Sequence, residues 1–284
     1  GKRVRPGFAI AASGIECPKA VPASNDVLMG GVAVELVHLG SLYHDDVMDE
    51  AEMRRTVPSV NAIWGNLTAI LAGDFLLARA SGIAASLGTE VAGLLAKTIG
   101  ELCEGQILEL QSTFKLDRTQ DSYERSISGK TASLLATACR IGGLTSHLSR
   151  ENIDILTSFG HSYGIAFQIV DDILDLVATD EQLGKPSGND LMEGVYTLPV
   201  IYAFSSDCGA QLKEILGKKI SVKERDKARA LIRSSQGVSE ALARAQFWTK
   251  EAASALTELP DSEATEALRA ATTHLIQRAS SPIV

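Results

Sequence analysis

The stretch Leu36–Pro58 reads LVHLGSLYHDDVMDEAEMRRTVP. It opens as an apolar helical face. It then sets five carboxylates (Asp45, Asp46, Asp49, Glu50 and Glu52) into eight positions and closes on the adjacent bases Arg54 and Arg55. An α-helix turns once in about 3.6 residues, so Asp45 and Asp49 share a face one turn apart. Like charges at that spacing cost an isolated helix roughly 0.2–0.5 kcal/mol. Hard divalent cations, which bind carboxylate oxygen, offset such a cost.

The pattern recurs once. Phe167–Val177 reads FQIVDDILDLV, so Asp171 and Asp175 stand at the same i, i+4 spacing, surrounded by Ile169, Val170, Ile173, Leu174 and Leu176. Carboxylates in so apolar a segment are costly unless paired or coordinated. One DDxxD is common as a solvated acidic turn. Two copies, each late in an apolar helix, point to a metal cluster in an all-helical domain with the two motifs facing each other. Magnesium suits this donor set, because it takes carboxylate, water and substrate phosphate oxygens and needs no Cys or His cage.

A phosphate substrate calls for bases. They lie at Lys2, Arg3 and Arg5 in GKRVRP, at Arg54 and Arg55, at Lys130 in SGKTASLL and at Lys185 in LGKPSGND. Arg grips phosphate in bidentate fashion, and Lys acts as a mobile point charge. Nucleotide binding is not indicated. Nor is either Gly-Lys segment a P-loop: GKPSGND lacks the GxxxxGK[ST] spacing, and before SGKT Glu124 stands where the earlier glycine belongs.

The chain has 284 residues, 45% of them hydrophobic, and a formal net charge of -8. That supports a large core and argues against a general nucleic-acid footprint. Cys17, Cys103, Cys139 and Cys208 are scattered, as expected of reduced thiols in a cytoplasmic protein. No run of about 18 apolar residues free of charge suggests a membrane span. GKRVRP reads as the middle of a chain, so a preceding helix is expected. Periodicity predicts helices over 6–14, 25–51, 59–86, 88–114, 119–125, 130–144, 149–178, 191–206, 208–216, 221–233, 237–257 and 261–280. Ser59 and Ser149 stand at helix starts, and Ser221 with Glu224 forms a capping-box signature. The breaks are too short for interdomain linkers, so residues 1–284 are expected to form one domain.

The ordered motifs GKRVRP, LVHLGSLYHDDVMDEAEMRR, AGDFLLARA, GKTASLL, FQIVDDILD, GKPSGNDLMEG and TLP resemble those of the trans-isoprenyl diphosphate synthases, the polyprenyl synthetases. The resemblance implies an all-α isoprenoid synthase fold of ten or more helices around a deep central cavity, as a homodimer. It implies head-to-tail condensation of isopentenyl diphosphate with an allylic diphosphate, assisted by three magnesium ions. Carried over to this chain, Asp45, Asp49 and Asp171 hold the metal, with Asp46, Asp172 and Asp175 in support. Arg54, Lys130 and Lys185 grip the allylic diphosphate. Lys2, Arg5, His38 and Arg55 bind the diphosphate of isopentenyl diphosphate, with Phe167 and Gln168 near that substrate. Thr131 and Gln168 stabilise the allylic cation.

In this family, bulky side chains one turn before the first acidic motif limit chain growth. Here those positions are Gly40 and Ser41, both small, so the expected product exceeds twenty carbons and would be delivered at a membrane surface. A geranylgeranyl diphosphate synthase is the nearest alternative. A class I terpene cyclase or a weakly active subunit of a heteromeric synthase are more distant ones. Two positions depart from the family pattern: Val195 replaces a lysine before TLP, and Thr56 replaces a glycine after the arginine pair.

Overall fold

The computed structural model describes residues 3–54, 57–179 and 187–280. The described chain is built from helices: α1 (Val4–Ser13), α2 (Asn25–Met48), α3 (Val60–Trp64), α4 (Asn66–Ser86), α5 (Thr89–Gln111) and α6 (Gln120–Ile127), then a π-helical turn (Ser128–Ala132). There follow α7 (Ser133–Thr145), α8 (Arg150–Val177), α9 (Asn189–Glu193), α10 (Leu198–Ala203), α11 (Gly209–Ile215), α12 (Val222–Ser234), α13 (Gly237–Ala255), a short 3-10 turn and α14 (Glu263–Ser280). Between α2 and α3, Met53–Arg54 pairs antiparallel with Val57–Pro58, Arg54 opposite Val57.

The starts follow the chemistry of the sequence. Ser24, Ser59 and Thr119 each accept a hydrogen bond from a backbone N–H of the following turn. Ser149 does the same for Asn152. At Ser221 both halves of the capping box with Glu224 are present. Three predicted segments differ. The 59–86 segment breaks at Gly65, whose φ of 82 no helix accommodates. The 191–206 segment breaks at Gly194, at φ 77. The predicted gap between 125 and 130 is instead a continuous path through the π turn.

The chain forms two compact units. One comprises Gly1–Leu102, Ser133–His161 and Ala252–Ala271, and the other Cys103–Ala132, Ser162–Glu251 and Thr272–Val284. In the first, small residues bring helices close. Ala33, Val34 and Val37 of α2 pack with Ala80 and Ala84 of α4, Val91 and Leu95 of α5, and Leu134, Ala138 and Ile141 of α7. By length and composition α2 and α4 are apolar enough to cross a bilayer. In this unit α4 buries Ala69, Gly73, Ala80 and Ala84, and leaves Leu67, Leu71 and Phe75 exposed.

The second unit is centred on Leu176, Leu191, Tyr196, Val200, Phe204, Leu212 and Ile232. Each such buried Leu or Ile contributes about 1.5–3 kcal/mol relative to exposure. Tyr196 meets Phe204 edge-on at 5.6 Å, and its hydroxyl accepts from the Gly217 N–H at 2.5 Å. Arg229 donates to the carbonyls of Leu176 (3.0 Å) and Ala178 (3.0 Å), closing the C-terminus of α8, the helix that carries the second acidic motif.

Candidate active site

In the first unit, α2 ends within the acidic motif itself. Asp45 is half-buried and Asp49 is exposed, one turn apart at the helix end. Asp46 points inward at 1% exposure. Arg54 donates from Nε to its Oδ1 at 2.5 Å. The turn after the helix is pinned from outside. Asn61 Nδ2 donates to the Asp46 and Ala51 carbonyls at 3.2 and 3.1 Å, and Ser59 Oγ donates to the Ala51 carbonyl at 2.5 Å. This bracing holds an acidic helix end that would otherwise fray. Arg5 on α1 and His38 on α2 are both half-buried in this unit.

Gly40 and Ser41 behave differently from each other. Gly40 is buried at the crossing of α2 and α4. A Cβ there would lie 3.0 Å from the Gly73 carbonyl and 3.3 Å from Leu77. Its small size is therefore a condition of helix packing. Ser41 is half-buried, and its hydroxyl donates to the His38 carbonyl at 2.9 Å.

In the second unit, Asp171 is exposed on α8 and faces Arg278 at 3.7 Å. Asp172 and Asp175 are buried, at 5% and 4% exposure. Asp171 and Asp175 thus share a side of the helix, as the spacing requires, but not an exposure. Asp172 accepts from the Tyr123 hydroxyl at 2.5 Å and from Gln168 Nε2 at 2.8 Å. Burial pushes its carboxyl up to about 7. Tyr123 and Gln168 oppose that rise, while the charges of Asp171 and Glu109 add to it. Thr131 Oγ1 in turn donates to Gln168 Oε1 at 2.7 Å. Phe167 is half-buried and stacks on Tyr163 at 6.3 Å.

Lys130 and Thr131 both lie in the π turn, a helical irregularity that recurs at functional sites. Two glycines let neighbouring helices press against it. A Cβ at Gly105 would stand 2.3 Å from the Lys130 nitrogen, and one at Gly164 would stand 2.5 Å from the Ala132 Cα. Lys130 Nζ reaches Glu109 Oε1 at 2.5 Å, with Glu109 largely buried. Sequence reasoning did not single out Glu109, Tyr123, Gly105 or Gly164. Of the predicted site residues, Lys2, Arg55 and Lys185 lie outside the described residues. The structure groups Arg5, His38, Gly40, Ser41, Asp45, Asp46, Asp49 and Arg54 in the first unit, and Lys130, Thr131, Phe167, Gln168, Asp171, Asp172 and Asp175 in the second.

A family profile described as polyprenyl synthetase matches residues 1–234. The chain belongs to the polyprenyl synthetase family. It is a prenyltransferase with the all-α isoprenoid synthase fold, as the motif resemblance implied. Among polyprenyl synthetases it is 39% identical over 282 residues to the nonaprenyl diphosphate synthase of Mycobacterium tuberculosis, covering 98% of this chain and 83% of that one. It is 42% identical over 225 residues to the geranylgeranyl diphosphate synthase of Methanosarcina mazei, covering 77% of this chain and 67% of that one. A crystal structure of the polyprenyl synthase from Caulobacter crescentus CB15, complexed with calcium and isoprenyl diphosphate, matches with a TM-score of 0.91. Its identity is 32%, with 99% of this chain and 86% of that one covered.

Proposed function

We propose that this prenyltransferase condenses isopentenyl diphosphate with an allylic diphosphate, head to tail, to make an all-trans polyprenyl diphosphate longer than twenty carbons. The observation that carries the reading is the exposure pattern of the two acidic motifs. Asp45, Asp49 and Asp171 reach the surface of their helices, while Asp46 and Asp172 are buried and tied to Arg54 and to Tyr123 and Gln168. The nonaprenyl relative, matched over nearly the whole chain, supports a long product. The geranylgeranyl relative keeps a twenty-carbon product as the second reading.

The donor set fits magnesium. Asp45, Asp49 and Asp171 offer hard oxygen. Among the described residues no group of three or more His, Cys, Asp or Glu could hold an ion alone. Magnesium takes carboxylate, phosphate and water oxygens together. Three magnesium ions, when bound, neutralise the leaving diphosphate. Arg54, Lys130 and Lys185 bind the allylic diphosphate. Lys2, Arg5, His38 and Arg55 bind that of isopentenyl diphosphate, beside Phe167 and Gln168. The allylic carbon–oxygen bond breaks and its electron pair leaves with the diphosphate. The double bond of isopentenyl diphosphate attacks the cation. The proton then lost passes to the departing diphosphate, and the oxygens of Thr131 and Gln168 face the developing charge.

The test is incubation of the purified chain with magnesium, radiolabelled isopentenyl diphosphate and allylic primers of increasing length, followed by sizing of the products. Elongation beyond twenty carbons is expected. No elongation with any primer refutes the reading, products ending at twenty carbons support the second one, and products ending short of twenty refute both.

The chain acts in the cytoplasm as a homodimer of single-domain protomers and delivers its product at a membrane surface. The homodimer rests on the exposed run Trp64, Leu67, Leu71 and Phe75 on α3 and α4, where Leu67 is 80% exposed. A contiguous apolar stripe of this kind is normally covered. Sedimentation of the wild type and of Leu67→Glu/Leu71→Glu tests it, with dissociation of the variant expected.

A further inference from the structure

We propose that Tyr123 is a positioning residue for the condensation, acting through Asp172 and Gln168 to fix which atoms Thr131 presents. The proposal rests on the reading above. Tyr123 lies on α6, 49 residues before Asp172, at 1% exposure. Its ring is held under the guanidinium of Arg118, 5.4 Å from the centroid, and Arg118 is itself buried and donates to the Tyr196 carbonyl at 3.0 Å.

The hydrogen bonds converge on Asp172, from Tyr123 on one side and from Thr131 through Gln168 on the other. The Tyr123 hydroxyl donates to Oδ2 of Asp172 at 2.5 Å, and Oδ1 then accepts from Gln168 Nε2 at 2.8 Å. A side-chain amide has one donor end and one acceptor end. With its nitrogen committed to Asp172, Gln168 turns its oxygen to Thr131, whose hydroxyl hydrogen goes to that oxygen at 2.7 Å. Thr131 has no second hydrogen on Oγ1, so only its lone pairs remain to face a ligand. Lone pairs attract a carbocation, and a freely turning hydroxyl would at times present its hydrogen instead. Preset dipoles of this kind need no reorganisation when charge develops. Asp172 is thereby an orienting group: it is buried, and each of its oxygens already accepts a hydrogen bond.

Tyr123→Phe keeps the ring under Arg118 and removes only the hydroxyl. The expected result is a fall in kcat of roughly ten- to a hundredfold, the scale of a misoriented catalytic group. The KM values for both substrates should stay within about threefold of wild type, because the diphosphate-binding residues are untouched. In a Gln168→Ala background the same substitution should have little further effect. A full additional loss there, or an unchanged kcat in the single variant, overturns the proposal, as does a change confined to thermal stability. A readout independent of turnover is the side-chain amide resonance of Gln168 in protein labelled with nitrogen-15 at glutamine, assigned by Gln168→Glu. It should shift in Tyr123→Phe, and a stationary resonance refutes the hydrogen-bond chain. A wild type that elongates no primer overturns the functional reading and with it the role in catalysis, while a shifted resonance would leave the hydrogen-bond chain itself standing.

Discussion

Arg54 donates to Asp46 across 2.5 Å, and that contact separates the roles of three neighbouring carboxylates. Asp46 is buried at 1% exposure, whereas Asp45 is half-buried and Asp49 exposed. The central carboxylate of the motif therefore anchors a base, and the flanking ones are those proposed to hold metal. The second motif repeats the logic with Asp172 anchored and Asp171 exposed. The expected outcome is a split in magnesium dependence. Asp45→Asn and Asp49→Asn should each raise the magnesium concentration for half-maximal rate by about tenfold or more, at least what loss of a hydrogen-bond partner behind a metal ligand costs. Asp46→Asn should lower the rate with a much smaller change in that concentration, because it loosens Arg54 instead. Magnesium titrations of the three variants at fixed substrate decide the point. A shift for Asp46→Asn equal to the others would mean that it, too, is a ligand.

Gly40 and Ser41 can be told apart by substitution. Gly40→Ala places a methyl 3.0 Å from the Gly73 carbonyl and should cost about 1–3 kcal/mol of stability through overpacking, with little effect on product length. Ser41→Phe should shorten the product while turnover with a short primer stays measurable. Thermal unfolding and chromatographic sizing of products check the two claims. An unchanged product distribution in Ser41→Phe would remove this position from length control.

The acidic motifs were legible because charge inside an apolar helix breaks the core pattern, and the helices because their periodicity and caps are local. The partners of those motifs were not. Tyr123 meets Asp172 across 49 residues, and Lys130 meets Glu109 across 21. In sequence Tyr123 looks like ordinary core, and Glu109 like a solvated charge on an amphipathic helix. The π turn over SGKTA has no compositional signal. Its only trace is glycine at 105 and 164, inside helices where glycine is otherwise costly. Gly40 carries a demand that its sequence does not show. A small residue reads equally as room for a substrate or as room for another helix, and the Gly73 contact adds the second.

Glu109 shares Lys130 with the diphosphate that Lys130 is proposed to bind. Their 2.5 Å ion pair is partly buried, so water screens it less than a surface pair. Glu109→Gln keeps the shape and removes the competing charge. The expected outcome is a KM for the allylic diphosphate lower by about three- to tenfold, the equivalent of roughly 0.7–1.4 kcal/mol. The KM for isopentenyl diphosphate should stay close to that of wild type. Initial rates with each substrate varied in turn provide the measurement. A higher allylic KM would show that Glu109 mainly holds Lys130 in place.

The second unit also carries a pH-dependent tie away from these residues. Arg244 grips Glu124 in a bidentate pair, Nε to Oε1 and Nη2 to Oε2, both at 2.7 Å, and Gln120 adds a bond at 2.8 Å. The guanidinium also lies over Phe247 at 4.6 Å and Trp248 at 5.2 Å. Burial alone would raise the Glu124 carboxyl, but the bonds from Arg244 and Gln120 outweigh it and hold the group below the usual glutamate range. A carboxyl depressed in the folded state stabilises above its unfolded value, and that stabilisation is lost as pH falls through the folded value. Glu124→Gln should therefore cost about 1–3 kcal/mol at pH 7, where one partner of a partly buried charged pair is removed. The deficit should narrow as the pH drops below the ordinary glutamate range, because the wild type then loses the same charge. Urea unfolding of both proteins at pH 7 and in steps below pH 4.5 measures it. A deficit that does not change across that range would mean that the pair contributes through packing on Phe247 and Trp248 and not through its charge.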